Sequence, residues 1–245
     1  MRKITVGAWR PADIGPMQVV SGPIGRERVH FEAPPADRLK REVSFFLKWF
    51  GAANGVDPVL KAGIAHFWFV TIHPFEDGNG RISRAIADMA LARAEGMIER
   101  FYSMSTQIEA EKKQYYLNLE QSQKGEVDIT SWLEWFLGCL GRAVAGAEDG
   151  LASVLRKAKT WERINSQSPV NERQRTVINR LLDGFEGNLS TSKYAKLAKC
   201  SGDTALRDIN LLLDQGVLVQ VAGGGRNTSY RLVGPEDQPL SSSQD

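Results

Sequence analysis

Twelve consecutive residues hold the groups best suited to chemistry: His73-Pro74-Phe75-Glu76-Asp77-Gly78-Asn79-Gly80-Arg81-Ile82-Ser83-Arg84. The types and order fit an anion. Gly78 and Gly80 lack Cβ atoms, so their backbone can adopt positive φ and approach a phosphate closely. Successive N–H groups in such a turn form an anion-binding nest. Arg81 and Arg84 are three apart, share a helical face, and can each donate forked hydrogen bonds to phosphate oxygens. Asp77 offers the hard oxygen that Mg²⁺ prefers, with phosphates supplying further ligands. His73 is the nearby side chain whose ordinary pKa lies close to neutrality, which suits a general base.

The flanking sequence must position these groups. Pro58 to Thr71 places Leu60, Ile64, Phe67 and Trp68 on one expected apolar face, with His66 inside that face as a core residue. Ala85 to Leu91 is rich in Ala and Leu, good helix formers. The stretch is therefore a loop feeding the N-terminus of a second helix, whose first turn carries unbonded N–H groups and the positive end of the dipole.

The stretch resembles the Fic family signature HPFx(D/E)GNGRxxR at every specified position. The resemblance implies roles residue by residue. His73 would deprotonate a hydroxyl of a target protein. Asp77 would hold Mg²⁺. Asn79 and the Gly78 and Gly80 amides would form an anion hole for the α-phosphate, and Arg81 and Arg84 would hold the distal phosphates. The implied reaction is transfer of AMP from ATP to a Ser, Thr or Tyr hydroxyl of a target protein or of the chain itself. A branch of the family that phosphorylates instead carries Lys where this chain has Gly78. Removal of AMP, or transfer of another phosphate-linked group, is a rival at the same site. A DNA-binding regulator using the Fic core as a nucleotide sensor is a rival of another class, against which the intact His73 speaks.

Size and composition bound the rest. A chain of 245 residues makes one large domain or two small ones, and 42% hydrophobic with 24% charged residues is ordinary for a globular protein. A formal net charge of +2 says little about partners. No apolar run reaches bilayer length, so no membrane partner is expected, and Met1-Arg2-Lys3 precedes no secretory apolar core. Two distant cysteines, Cys139 and Cys200, argue against a disulfide framework or a Cys-based zinc site, and the expected compartment is the cytoplasm. There is no Walker A pattern.

In chain order, two β-prone pieces surround a Gly/Pro turn, so a hairpin is expected near Val20 to Phe31. It resembles the Fic flap, which pairs edge-on with the backbone of a target, and the resemblance assigns target binding to Val20, Ser21, Gly22, Ile24, Gly25 and Val29. His30 reads as a flap or packing residue. Leu39, Val43, Phe46, Leu47 and Phe50 follow helical spacing after Pro34-Pro35, with Asp37 placed to charge the helix start. Ser105 to Ser122 reads as one helix. By family analogy Tyr115 and Tyr116 are the candidates for stacking on adenine, with Asn118 for a base contact. Thr130 to Val144 reads as a helix with Trp132, Trp135, Phe136 and Leu140 in the core, and a connecting helix is expected over about 147–164. The Fic domain is thus expected over 1–164.

Asn165 to Pro169 is a linker by composition. Beyond it, 170–233 reads as three helices and a strand–turn–strand. This order resembles a winged helix-turn-helix domain, with Ser201 capping the recognition helix; Asp203, Thr204 and Arg207 would face outward and Arg226 would tip the wing. The segment is only mildly basic, which weakens the case for DNA, because phosphate contacts dominate DNA affinity. Residues 234–245 are expected to be a disordered tail. The expected class is mainly α: a Fic helical core with a small β-hairpin flap, followed by a winged helix.

The inhibitory pattern (S/T)xxxE(G/N) found in Fic proteins has no match. Glu95-Gly96 and Glu186-Gly187 lack a Ser or Thr four residues earlier. The resemblance therefore implies that no such Glu of this chain pairs with Arg84. It leaves open a preceding inhibitory segment, an inhibitor acting in trans and a homodimer.

Overall fold

The computed structural model describes residues 5, 7–23, 25–53, 55–96, 100–125, 127–167, 169–221, 228–234 and 237. The chain is mainly helical. It divides into two compact units, Met1–Gly150 and Leu151–Asp245, and the division falls inside one helix.

The first unit holds the hairpin β1 (Gln18–Ser21) and β2 (Arg28–Glu32), then helices α1 (Leu39–Gly51), α2 (Pro58–Ile72), α3 (Asn79–Glu95), α4 (Met104–Ala110) and α5 (Lys112–Lys124), and the start of α6 (Thr130–Gln167). Helix α2 is its centre. It starts where Asp57 Oδ1 accepts from the N–H groups of Val59 and Leu60 at 2.9 and 3.1 Å, with Pro58 in the first turn, where a missing N–H costs nothing. The sequence places its apolar face on Leu60, Ile64, Phe67 and Trp68. In the structure Ala62, Ala65, His66, Phe67, Phe69, Val70 and Ile72 are buried, while Leu60, Ile64 and Trp68 are only half-buried. A helix apolar nearly all round is covered on several sides, so periodicity alone cannot pick its deepest face. Gly63 lets α6 approach closely, since a Cβ there would meet Phe136 at 3.0 Å and Leu133 at 3.1 Å. The Trp132 indole N–H donates to the Gly63 carbonyl at 2.9 Å.

Four local expectations change. The helix expected over Ser105 to Ser122 is two helices, broken at Glu111 (φ −105°, ψ 23°), whose carboxylate takes both arms of Arg142 on α6 at 2.6 Å. Helix α6 runs without interruption through Ala145 to Gly150, so the connecting helix expected over about 147–164 is part of a 38-residue element. Leu47 on α1 is 59% exposed rather than core. The hairpin also begins two residues before the expected Val20 and ends one after Phe31.

The second unit contains the rest of α6, helices α7 (Glu172–Leu182), α8 (Thr191–Ala198) and α9 (Gly202–Asp214), and the antiparallel pair β3 (Leu218–Gln220) and β4 (Tyr230–Leu232). Leu189 bridges Tyr230 from outside the two strands. Trp161 and Ile164 pack with this unit's core, so α6 joins it earlier than the 165–169 linker implied. Leu206 on α9 is 45% exposed. Asp208 occupies the buried face instead. Its carboxylate accepts from Arg173 Nε at 2.9 Å, Asn171 Nδ2 at 3.2 Å and Tyr194 OH at 3.2 Å, joining α7, α8 and α9. Burial alone would raise the Asp208 pKa, but these donors outweigh it and hold the carboxyl below its ordinary value.

Candidate active site

Helix α2 ends at His73, which adopts a left-handed conformation (φ 50°, ψ 57°) unusual for a residue with a Cβ. The turn aims the ring back at the helix, where Nδ1 lies 3.2 Å from the Val70 carbonyl. A carbonyl can only accept, so Nδ1 carries the proton and Nε2 keeps the free lone pair. Burial, chiefly, and the nearby Arg10 charge push the His73 pKa down, against an upward pull from the Val70 bond. The ring is therefore neutral at pH 7, as a base must be.

Gly78 (φ 86°, ψ 0°) turns the chain into α3, whose first intrahelical bond runs from the Ile82 N–H to the Gly78 carbonyl at 2.9 Å. The N–H groups of Asn79, Gly80 and Arg81 precede that bond and form the donor end of the helix. Gly80, expected to share the positive φ, is instead helical, and a Cβ there would meet nothing within 4 Å. Its value is the open approach it leaves to the backbone.

Asn79 does more for the loop than the sequence foretold. It is 2% exposed, its Nδ2 donates to the Phe75 carbonyl at 2.8 Å, and its Oδ1 accepts from the Phe75 N–H at 3.0 Å. One Nδ2 hydrogen and the backbone N–H remain for an anion. Asp77 accepts from the Gly78 N–H at 2.6 Å and pairs with Arg81 at 3.1 Å. Both partners of that pair are largely exposed, so it is weak enough to yield to a ligand. Arg84 is half-buried, and among the described residues it makes no ion pair.

These groups line one cavity of about 780 Å³, within the usual range for small-molecule sites. Helix α5 and the hairpin close its other sides. Tyr116 lines the cavity and is 54% exposed. Tyr115, the other expected adenine platform, touches the cavity but belongs to the core. It is 5% exposed, packs edge-on against His66 with ring centroids 5.8 Å apart, and its hydroxyl lies 3.1 Å from His66 Nε2. Asn118 is likewise committed, with Nδ2 donating to the Gln114 carbonyl at 2.8 Å. Adjacent residues on a helix point about 100° apart, so only one of two neighbouring tyrosines can face the cavity fully.

Val20, Ser21 and Val29 lie on the hairpin, with Val20 and Val29 exposed. Gly22 (φ 106°) is required at its turn, because a Cβ would stand 2.9 Å from the Arg26 carbonyl; Gly25 has φ 85°. Ile24 lies outside the described residues. The hairpin is tethered to α5 at Glu120, a contact sequence reading missed. His30 Nδ1 and Arg28 reach its carboxylate at 2.6 and 2.9 Å, and Lys124 completes the group at 2.5 Å. His30 Nε2 meets Ser21 Oγ at 2.6 Å across the strands. Lys124, then His30, pull the Glu120 pKa down to about 2, so the tether persists through mild acid. In Glu120→Ala the hairpin should loosen, and trypsin should cut after Arg26 and Arg28 faster than in the parent chain. Equal cleavage rates would show that the tether does not hold the hairpin.

His66 is fully buried among Tyr115, Trp132 and Phe136, and burial, followed by the Arg84 charge, pushes its pKa down to about 3. A histidine depressed in the folded state favours folding in its neutral form. Stability is therefore full above the unfolded value of 6.5 and falls as pH drops from 6.5 toward 3. The expected loss is about 1.4 kcal/mol per pH unit below that point. Denaturant midpoints at neutral pH and near pH 5 should show it, and should converge in His66→Asn.

Arg10 is the other residue sequence reading passed over. It is 5% exposed; its Nε donates to the His73 carbonyl at 2.8 Å, its backbone N–H to the Pro74 carbonyl at 2.9 Å, and its second guanidinium arm to the Pro34 carbonyl. Thr204 is half-buried, with its hydroxyl 2.9 Å from the capping Ser201 hydroxyl, whereas Arg207 is exposed. Arg226 lies outside the described residues.

Residues 1–91 match the sequence model of the Fic/DOC family, and this segment carries the whole His73–Arg84 stretch. Curated relatives agree. The chain is 24% identical over 182 residues to "Protein adenylyltransferase fic-1" of Caenorhabditis briggsae, covering 68% of this chain and 34% of that protein. It is 34% identical over 112 residues to "Protein adenylyltransferase Fic" of Drosophila mojavensis, covering 45% of this chain and 20% of that one. It thus spans about a third of the length of the first relative and a fifth of the second. Among solved structures, a Fic family protein from Desulfovibrio desulfuricans G20 aligns at 26% identity and TM-score 0.44, over 86% of this chain and 59% of that one. By the family match, residues 1–91 form a Fic/DOC family domain, and proteins named adenylyltransferases are among its relatives. No helix among the described residues is long and apolar enough to cross a membrane.

Proposed function

We propose that this chain is a protein adenylyltransferase, moving AMP from ATP to a Ser, Thr or Tyr hydroxyl of a target protein or of itself and releasing pyrophosphate. One observation carries the reading. The free Nε2 of His73, the N-terminal amides of α3 and the exposed hairpin border a single cavity. The hairpin holds a target segment by strand addition. His73 takes the hydroxyl proton on Nε2 as the oxygen attacks the α-phosphorus. The bond from that phosphorus to the bridging oxygen of the β-phosphate breaks. The first-turn amides of α3 stabilise charge on the α-phosphate, and Arg81 and Arg84 hold the departing pyrophosphate. Tyr116 supports the adenine.

Asp77 is the carboxylate placed to share Mg²⁺. No group of three His, Cys, Asp or Glu among the described residues forms a closed metal cage, which fits an ion held mainly by substrate phosphates and water. Bound there, Mg²⁺ would neutralise and align the phosphates.

Incubation with Mg²⁺ and ATP labelled on either the α- or the γ-phosphate, alone and with cell lysate, tests the reading. Label from the α position should appear on protein and label from the γ position should not. Incorporation from the γ position overturns it, and no incorporation with ATP binding intact favours AMP removal. In Arg84→Ala the affinity for ATP relative to AMP should fall about tenfold or more, the worth of a charged hydrogen-bonded contact. Calorimetry with ATP, ADP and AMP measures it, and an unchanged ratio removes Arg84 from the phosphate site.

For the second unit, the order of three helices and a hairpin, with Leu189 bridging Tyr230, supports a winged-helix reading with α9 as the recognition helix. Arg207 is its exposed cation. Salt-dependent titration with random and selected duplexes tests DNA binding, and no binding at low salt leaves protein docking as the role.

A further inference from the structure

The conformation of His73 is held from far away in the chain. A residue with a Cβ at φ 50° is strained by about 1 kcal/mol or more, so the corner stays in place only where the surroundings over-determine it. Arg10 supplies that surrounding. Its side chain takes the carbonyl of His73 itself, its backbone takes the next carbonyl along, and its other arm takes Pro34 at the entry to α1. Among the described residues Arg10 makes no ion pair. A buried cation without a carboxylate is costly unless its donors are fully used. Here the guanidinium serves two backbone carbonyls from two loops, those of His73 and Pro34, and the negative end of the α2 dipole also favours a cation.

We propose that Arg10 is a positioning residue for the base. By pinning the His73 and Pro74 carbonyls it fixes the corner from which the imidazole reaches the Val70 carbonyl with Nδ1 and presents Nε2 to the cavity. The catalytic half of this inference rests on His73 being the base; the positional half does not. Lys can keep the charge but cannot reproduce the planar fork. Met can fill the space with no donor.

Two measurements on the full chain test it, with Arg10→Met and Arg10→Lys beside the parent. The chain has three histidines, so ring ¹⁵N spectra are simple, and the His73 signals are those missing in His73→Ala. The parent should show a single His73 tautomer protonated on Nδ1. Arg10→Met should show a mixture of tautomers. In label transfer, kcat should fall on the order of 10²-fold in Arg10→Met, as expected for a displaced reacting group, and less in Arg10→Lys. The KM for ATP should stay within about twofold of the parent, because uniform binding is untouched. A parent-like tautomer and kcat in both variants overturn the proposal. If Arg10→Met does not fold, Arg10→Lys decides by the same two readouts. If the parent transfers nothing, the transferase reading fails, and the spectra alone decide whether Arg10 sets the ring.

Discussion

His73→Ala should lose transfer by about 10²- to 10⁴-fold, the usual worth of a positioned general base, while ATP binds within about twofold of the parent. The asymmetry follows from geometry. The imidazole bonds the Val70 carbonyl and faces the cavity through Nε2, whereas the groups proposed to hold the phosphates sit on Gly78 and the first turn of α3. Removing the ring takes away a proton acceptor and leaves the phosphate donors in place. Because burial depresses the His73 pKa in the free chain, the acid limb of kcat/KM should have its midpoint below 6.5. Transfer near the parent rate in His73→Ala would end the base assignment. A parallel collapse of ATP affinity would mean that the side chain shapes the loop instead.

The largest stability effect should come from Trp132→Ala. Trp132 is fully buried, packs against His66, Phe67, Tyr115, Trp135 and Phe136, and ties α6 to α2 through Gly63. Deleting the indole should cost about 3–5 kcal/mol, because the lost apolar burial is joined by an unfilled cavity. Trp132→Phe keeps most of the ring and removes the indole N–H bond to the Gly63 carbonyl, so a smaller loss of about 1 kcal/mol is expected. Urea midpoints of the full chain measure both. A loss under about 1 kcal/mol for the alanine variant would place the core elsewhere. ATP affinity offers a second readout, because Tyr115 and Tyr116 are consecutive on α5 and the first packs on Trp132.

The legible part of this molecule is short in sequence. The turn at Gly78, the helix that follows and the arginines on its face depend on neighbours within a few positions. Gly63, by contrast, sits in an unremarkable Lys-Ala-Gly-Ile run, and only the approach of α6 gives it a task. The break at Glu111 is similar. Nothing in Ala110-Glu111-Lys112 forbids a helix, but Arg142, which lies 31 residues on, engages its carboxylate.

The amino-acid sequence by itself determined the chemistry on offer: a histidine, a carboxylate, two arginines and a glycine-bounded helix start, in an order that local backbone rules turn into a cluster of N–H donors and cations. The tertiary structure decided which of these groups are free to act. It sent Tyr115 into the core beside His66, 49 residues away, and left Tyr116 in the cavity. It fastened the hairpin to Glu120 across 90 residues and placed Arg10 under His73 across 63. Local rules fix which conformations a segment can hold. Burial and long-range hydrogen bonds fix which side of it faces solvent, and those depend on partners that no short window of sequence contains.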